Sequence, residues 1–543
     1  MRAALAAAVV LLALLGSAPG AVAAGRAIAR SAALPGWSRP NASGPLASAS
    51  LTWSTGNLPD VGQPIALSSP VAANISGVPS MVVGDRRGFL YAYELGASGS
   101  AVSLPGAWPT TNGSGPIDST PSVLSSNGAA ANILVGSGND PDPTTGGFQS
   151  FSPAGIQQWF QAPMDPPTDA SPNSGVQAGI TIGDLRGQTS AVAGSLGQVT
   201  YALDAASGGT LAGWPFLNTD STHSTAALAD LYGSGQNEIV EGSDQSAGFG
   251  AGQQYSDGGH LRILTASGNQ VCRADTNQTV DSSPAVGGFL TGGATGEVVG
   301  TGSFFAGASD TDTVRAYDSH CQLQWASRLD GSTGSSPALS DVRNDGRLEV
   351  VEGTDQGPGQ SGSLYVLDPT SGQVLCQAPD IGRVIGSVVT ANLYGNGNDI
   401  LVPTLSNTTN GIQVFDGFCN PIGTLDTNLG LQNAPLVTDD PNGTVGITLA
   451  GYVPSSGGNS PAVGRIDHFE IAASNGAGAV GGSAWPMFHH DPQLTGNAGG
   501  TPPPGSVPAC ALPSATLVGY NLVASDGGIF SFPTGNMPFC GST

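Results

Sequence analysis

The chain has 543 residues, a formal net charge of −24, 82 glycines and only 10% charged residues. All 15 basic residues are Arg, which leaves no basic footprint for nucleic acid and a surface that repels anionic membranes and favours solubility outside the cell. Low charge with aliphatic runs throughout excludes a disordered chain, and the turn residues between the runs point to an all-β protein.

In chain order, residues 1–24 read as a secretory signal peptide. Arg2 is the positive start, Ala3 to Leu15 the apolar core, and Ala21-Val22-Ala23 the small-residue cleavage site. No later stretch reaches about eighteen apolar residues, so no membrane span is expected. Residues 25–50 form an N-terminal extension.

From 51 to 496 one motif returns about every fifty residues, the mark of a supersecondary unit copied around an array. It is a small-residue step before a short apolar run. It stands at Ser68-Ser69-Pro70, Ser119-Thr120-Pro121, Ser282-Ser283-Pro284 and Ser335-Ser336-Pro337, with weaker copies at Gln177-Ala178, Thr225-Ala226, Ser387-Val388 and Ala434-Pro435. The unit from Ser335 predicts four strands. Pro337-Ala338-Leu339 is a small-residue inner strand, Leu348 to Glu352 a β-branched second, Ser363 to Asp368 a third and Gln373 to Cys376 a fourth. Four such strands make one propeller blade. The steps give eight blades, or seven if one weak copy is an insertion. Outer edges are marked by Trp or Cys. The segment at Trp53 and the segment Trp485 to His490 flank the array. One of them latches the ring, Trp53 by supplying an outer strand to the last blade, or Trp485 and Phe488 by packing on that blade.

Six Cys in an exported chain fit disulfides. Cys272, Cys321, Cys376 and Cys419 fall one per unit near the fourth strands, with their pairing left open. Residues 497–509 are a stiff Pro/Gly-rich linker. Residues 510–543 are a small tail that Cys510 and Cys540 would staple.

The turn Asp341-Val342-Arg343-Asn344-Asp345-Gly346-Arg347-Leu348-Glu349 resembles the FG-GAP (VCBS) repeat of integrin-α-type propellers, as do the turns at Asp230 to Glu238 and Asn392 to Asp399. Ala202 to Gly208, leading to Trp214, resembles the docking motif of quinoprotein propeller repeats, and Val366 to Gly372 is similar without the Trp. The tail from Gly519 to Phe532 resembles a short repeat at the ends of exported actinobacterial proteins. The FG-GAP resemblance implies calcium at Asp341, Asp345 and Glu349, the first, fifth and ninth turn positions; Arg343 at the third cannot ligate. The competing reading is that these side chains cap their own turns. The quinoprotein resemblance implies a cofactor stacked on a vicinal Cys pair, but no two Cys are adjacent. His489, His490 and Asp491 are read as part of a latch, because neighbouring His residues on a strand face opposite ways.

No hydrolase motif is present, and the sequence points to no catalytic or cofactor-binding residue. The reading is a secreted, monomeric, non-catalytic propeller that presents loops to an extracellular protein or glycan. The alternative is a propeller enzyme, either a quinone-dependent dehydrogenase or a polysaccharide-degrading enzyme. A funnel of convergent carboxylates with Arg would favour the enzyme; one of Gly, Ser and Ala with a rim aromatic would favour binding.

Overall fold

The computed structural model describes residues 44–139, 142–164, 175–246, 256–405, 410–454, 462–472, 478–499, 519–523 and 529–533. The signal segment, the linker beyond 499 and the Cys510–Cys540 pair lie outside the described residues.

Eight antiparallel sheets form a β-propeller. Blade 1 is built on Val71–Ile75, Val78–Gly84 and Leu90–Glu94, with Ser103 and Thr110 bridging to its outer edge. Blades 2 to 7 span residues 122–161, 181–217, 227–276, 285–328, 338–382 and 389–426. Blade 8 combines Leu436–Asp439, Thr444–Val453 and Val463–Ala472 with Ala49–Ser54, which pairs with the third of them. The Trp53 segment is therefore the latch: the start of the chain supplies the outer strand of the last blade and leaves no open seam. In the tail, Gly519–Val523 and Ile529–Pro533 form a separate hairpin.

The repeating step has a mechanical meaning at the axis. Its second residue donates a backbone N–H to the hydroxyl at the same position one blade on. Ser69 donates to Thr120 Oγ1 (3.1 Å), Gly179 to Thr225 (2.8 Å), Thr225 to Ser283 (2.9 Å), Ser283 to Ser336 (2.9 Å), Ser336 to Ser387 (3.1 Å) and Ala434 to Ser69 (3.1 Å). The belt is interrupted where Gly179 and Ala434 replace the accepting hydroxyl. This register corrects the weak copies by one residue: the equivalent steps are Ala178-Gly179, Ser224-Thr225, Gly386-Ser387 and Asn433-Ala434. The first Ser has a different task. Ser68, Ser119, Ser224 and Ser282 accept the N–H of Gly84, Gly136, Gly242 and Gly300, each in a second strand. Gly is required there because a Cβ on Gly84 would overlap Ile117, and one on Gly300 the Thr333 carbonyl.

Between blades, apolar clusters bury the second and third strands. The outer edge is clasped to the next blade. Trp53, Trp108, Trp159, Trp214 and Trp325 donate their indole N–H to carbonyls of Leu95, Pro153, Ala205, Ala266 and Pro369, at 2.8–3.3 Å. Trp159 packs on Gly208, the last residue of the quoted docking motif, and Trp325 on Gly372. Where blades 4 and 6 lack that Trp, disulfides take over: Cys272–Cys321 joins blade 4 to 5, and Cys376–Cys419 joins 6 to 7. The remaining junction, blade 7 to 8, is covered by the chain start, with Leu46 N–H on the Thr424 carbonyl (2.9 Å) and Tyr394 Oη on that of Ala47 (3.0 Å).

Candidate functional site: a blind axial funnel

Inner strands leave one edge of N–H groups facing the axis. Residues 478–499 satisfy them at one end of the channel. Carbonyls of Pro492, Gln493, Thr495 and Gly496 accept from Val123, Ile182, Leu228 and Val286, in blades 2 to 5. Those of Trp485 and Pro486 accept from Thr390 and Val437, in blades 7 and 8. Ser483 Oγ takes the Asp341 N–H of blade 6 (3.2 Å), and Met487 enters the apolar cluster of blade 1. The segment read as the alternative latch, packing on the last blade, is instead an axial plug touching every blade. Its backbone turns sharply, with His489 and His490 at φ 57° and 81°. His489 is fully buried, Nδ1 facing the Leu494 carbonyl (2.6 Å) and Nε2 that of Pro284 (2.9 Å). Burial pushes its pKa down while the two carbonyls oppose the shift. His490 lies against Asp491 (3.3 Å).

Beyond the belt the channel opens as a funnel of about 420 Å³ with Phe488 of the plug among its lining residues. Its wall is the belt, together with the residue preceding each step: Leu67, Asp118, Gln177, His223, Asp281, Gly334, Ile385 and Gln432. The wall is lopsided. Blades 2 to 5 contribute the ionisable groups Asp118, His223 and Asp281 and the amide of Gln177, with Asp244 beside them, and blade 8 adds the amide of Gln432. Leu67, Gly334 and Ile385 make the other side plainer. Phe304 lines the same funnel and is 70% exposed. Asp118 is buried and paired with Arg86 (2.9 Å). His223 Nδ1 lies 3.0 Å from Gln177 Oε1. One ligand atom from each of His223, Asp244 and Asp281 lies within 4.8 Å of the others, and Asp281 Oδ1 is buried without a hydrogen-bond partner among the described residues.

The sequence marks the belt hydroxyls and Gln177 only as parts of the repeating step, and it does not point to Asp118, His223, Asp244 or Asp281. His223, Asp244 and Asp281 are separated by whole strands, so no local spacing announces them. A signal did exist: aligning the steps in their structural register places Asp118, Gln177, His223 and Asp281 at one repeat position.

The candidate calcium residues sit on the turn of blade 6, each engaged there. Asp341 accepts the N–H groups of Asp345 and Gly346 (both 2.9 Å). Asp345 accepts the Arg347 N–H and pairs with its guanidinium (both 3.1 Å). Glu349 Oε2 accepts from Val342 and Arg343 (both 3.2 Å), while Oε1 is buried without a partner. Burial pushes Glu349 up to about 7. Arg343 points away, over the Phe418 ring at 4.4 Å. The other two turns repeat the capping: Asp230 holds Ser234 and Gly235, and Glu238 and Asp399 hold the N–H groups of Leu231 and Leu393. Asp399, deeper still, is pushed by burial to about 8.

The chain matches no protein-family model and no curated protein. Among solved structures it is similar to Sqt1 of Saccharomyces cerevisiae, at 10% identity and TM-score 0.53 over 78% of this chain and 99% of that one. It is more loosely similar to BamB from Moraxella catarrhalis (13%, TM-score 0.46, 78% and 100%) and to a europium-containing methanol dehydrogenase (10%, TM-score 0.39, 65% and 90%). The Sqt1 likeness supports the propeller fold; at these identities none of the three speaks to function.

Proposed function

We propose that the chain is a secreted, non-catalytic binding propeller whose blind funnel and rim receive an extracellular protein or glycan. The observation that carries this is the funnel itself: a small-residue hydroxyl belt, a plug at its far end, and Phe304 exposed on its wall. An exposed aromatic beside small polar groups suits stacking on a sugar or seating a side chain. Two disulfides between blades fit an oxidising compartment. A glycan array probed with the wild type and with Phe304→Ala tests the glycan form. Binding that is lost in the variant supports it; wild-type binding that Phe304→Ala leaves intact moves the site elsewhere.

The enzyme reading is favoured by one observation, the convergence of His223, Asp244 and Asp281 on one wall. Reducing ends released from a polysaccharide by the wild type, and not by Asp281→Asn, would replace the binding reading with a hydrolase. The FG-GAP likeness adds a calcium proposal at Asp341, Asp345 and Glu349, supported by the unpartnered Glu349 Oε1. If it holds, saturating Ca²⁺ raises the melting temperature above that in EDTA; equal temperatures overturn it.

A further inference from the structure

We propose that His223, Asp244 and Asp281 form a binding site for a divalent transition metal of the zinc class on the funnel wall. The proposal does not depend on what docks in the funnel.

Three observations converge. The first is proximity: the ligand atoms lie within 4.8 Å of one another before any ion draws them in. Ligands about 2.0–2.2 Å from a shared ion stand roughly 3–4 Å apart, so modest side-chain rotations close the site. The second is the tautomer. An amide oxygen only accepts, so the 3.0 Å contact of Gln177 Oε1 with His223 Nδ1 requires the Nδ1–H tautomer and leaves the Nε2 lone pair to bind. An outer partner on the far ring nitrogen is the usual companion of a metal-bound His. The third is Asp281 Oδ1, a buried carboxylate oxygen with no hydrogen-bond partner. Such an atom is costly to bury, and a cation supplies what it lacks.

The donor set selects the metal. One imidazole and two carboxylates suit zinc-class ions, whereas Ca²⁺ and Mg²⁺ prefer oxygen alone. Three protein ligands leave a fourth position open, and all three residues line the funnel. Water, or an oxygen of a docked molecule, would fill it.

A second cluster, Asp440, His468 and Glu470, is equally compact but is already in use. His468 bonds Thr448 Oγ1 (2.9 Å) and Asp440 Oδ2 (3.0 Å) through its two nitrogens and stacks on Trp53 with ring centroids 5.0 Å apart. It clamps the closing strand and leaves no lone pair for an ion.

The test uses the untagged full chain, oxidised and stripped with chelator, titrated with ZnCl₂ by calorimetry and with Co²⁺ by visible absorption. The expected result is one equivalent of Zn²⁺, with a Co²⁺ d–d band that Zn²⁺ displaces. His223→Ala and Asp281→Asn lose that equivalent, and Gln177→Ala, which touches no metal, weakens it by about 10–100-fold. Glu470→Gln leaves it unchanged. Absence of stoichiometric binding by the wild type, or binding that survives His223→Ala, overturns the proposal, as does loss in Glu470→Gln alone. Should His223→Ala fail to fold, unweakened binding by Gln177→Ala and Asp281→Asn overturns it equally.

Discussion

The two ends of the axial channel are built on opposite rules. At the plugged end, the inner-strand N–H groups of blades 2 to 5, 7 and 8 meet plug carbonyls, and Trp485 and Met487 are buried in apolar clusters. At the open end, polar groups crowd one wall, a carboxylate oxygen lacks a partner, and a phenyl ring faces solvent. One end holds the ring together. The other accepts local cost, which is where binding sites are commonly found.

The largest effect should come from the plug. Trp485→Ala removes a fully buried indole, and large-to-small changes of this kind cost about 3–5 kcal/mol. His489→Ala strips the ring from two carbonyls and should cost about 1–3 kcal/mol. Denaturant melts check both, and a wild-type midpoint for Trp485→Ala would mean that the plug is dispensable. Next come the clasps. Cys376→Ser with Cys419→Ser should cost about 2–4 kcal/mol, and a mild reductant should lower the melting temperature of the wild type but not that of a variant lacking both interblade pairs.

pH should act on the turns. Burial raises Glu349 to about 7 and Asp399 to about 8, so between their unfolded values and these the folded state holds the extra protons. Stability therefore falls as pH rises through that window. The chain should melt several degrees higher at pH 5 than at pH 8, and Glu349→Gln should flatten part of the slope. Buried His489, whose pKa is pushed down, opposes this trend below its unfolded value, so a slope that Glu349→Gln leaves unchanged would overturn the prediction. Well below pH 4 the trend reverses, because hydrogen bonds from Ser207 and Gln188 hold Asp204 below the usual carboxylate range.

The blade was legible because its signals are local and periodic: a small inner strand, an acidic turn, and Trp or Cys at the outer edge. The same logic explains the eight units and the closing role of Trp53. Two weak copies were misplaced by one residue because Gly179 and Ala434 lack the hydroxyl that marks the belt, and two because Thr225 and Ser387 keep the hydroxyl but lack the Pro that follows it in the strong copies. The plug was hidden for a different reason: its bonds reach across nearly the whole chain, and Trp485 to Thr495 has no period to betray which blades it meets. Cysteine pairing needed three dimensions, since Cys321 and Cys419 sit in turns that only the ring brings beside Cys272 and Cys376. For His223, Asp244 and Asp281, the polar wall becomes visible in sequence only after the belt sets the register.

The smallest expected effect is also the sharpest test of the contrast between the ends, because its sign differs. Asp281→Asn replaces a carboxylate whose Oδ1 is buried and unpartnered with a neutral amide of nearly the same shape. In metal-free protein this relieves desolvation of charge and should raise stability by roughly 1 kcal/mol or less. With saturating Zn²⁺ the order should invert, since only the wild type gains the linkage stabilisation of a bound ion. Paired melts in chelator and in Zn²⁺ read both signs. A variant less stable than the wild type under both conditions would show that Asp281 braces the fold, and that the open end obeys the same rule as the plugged one.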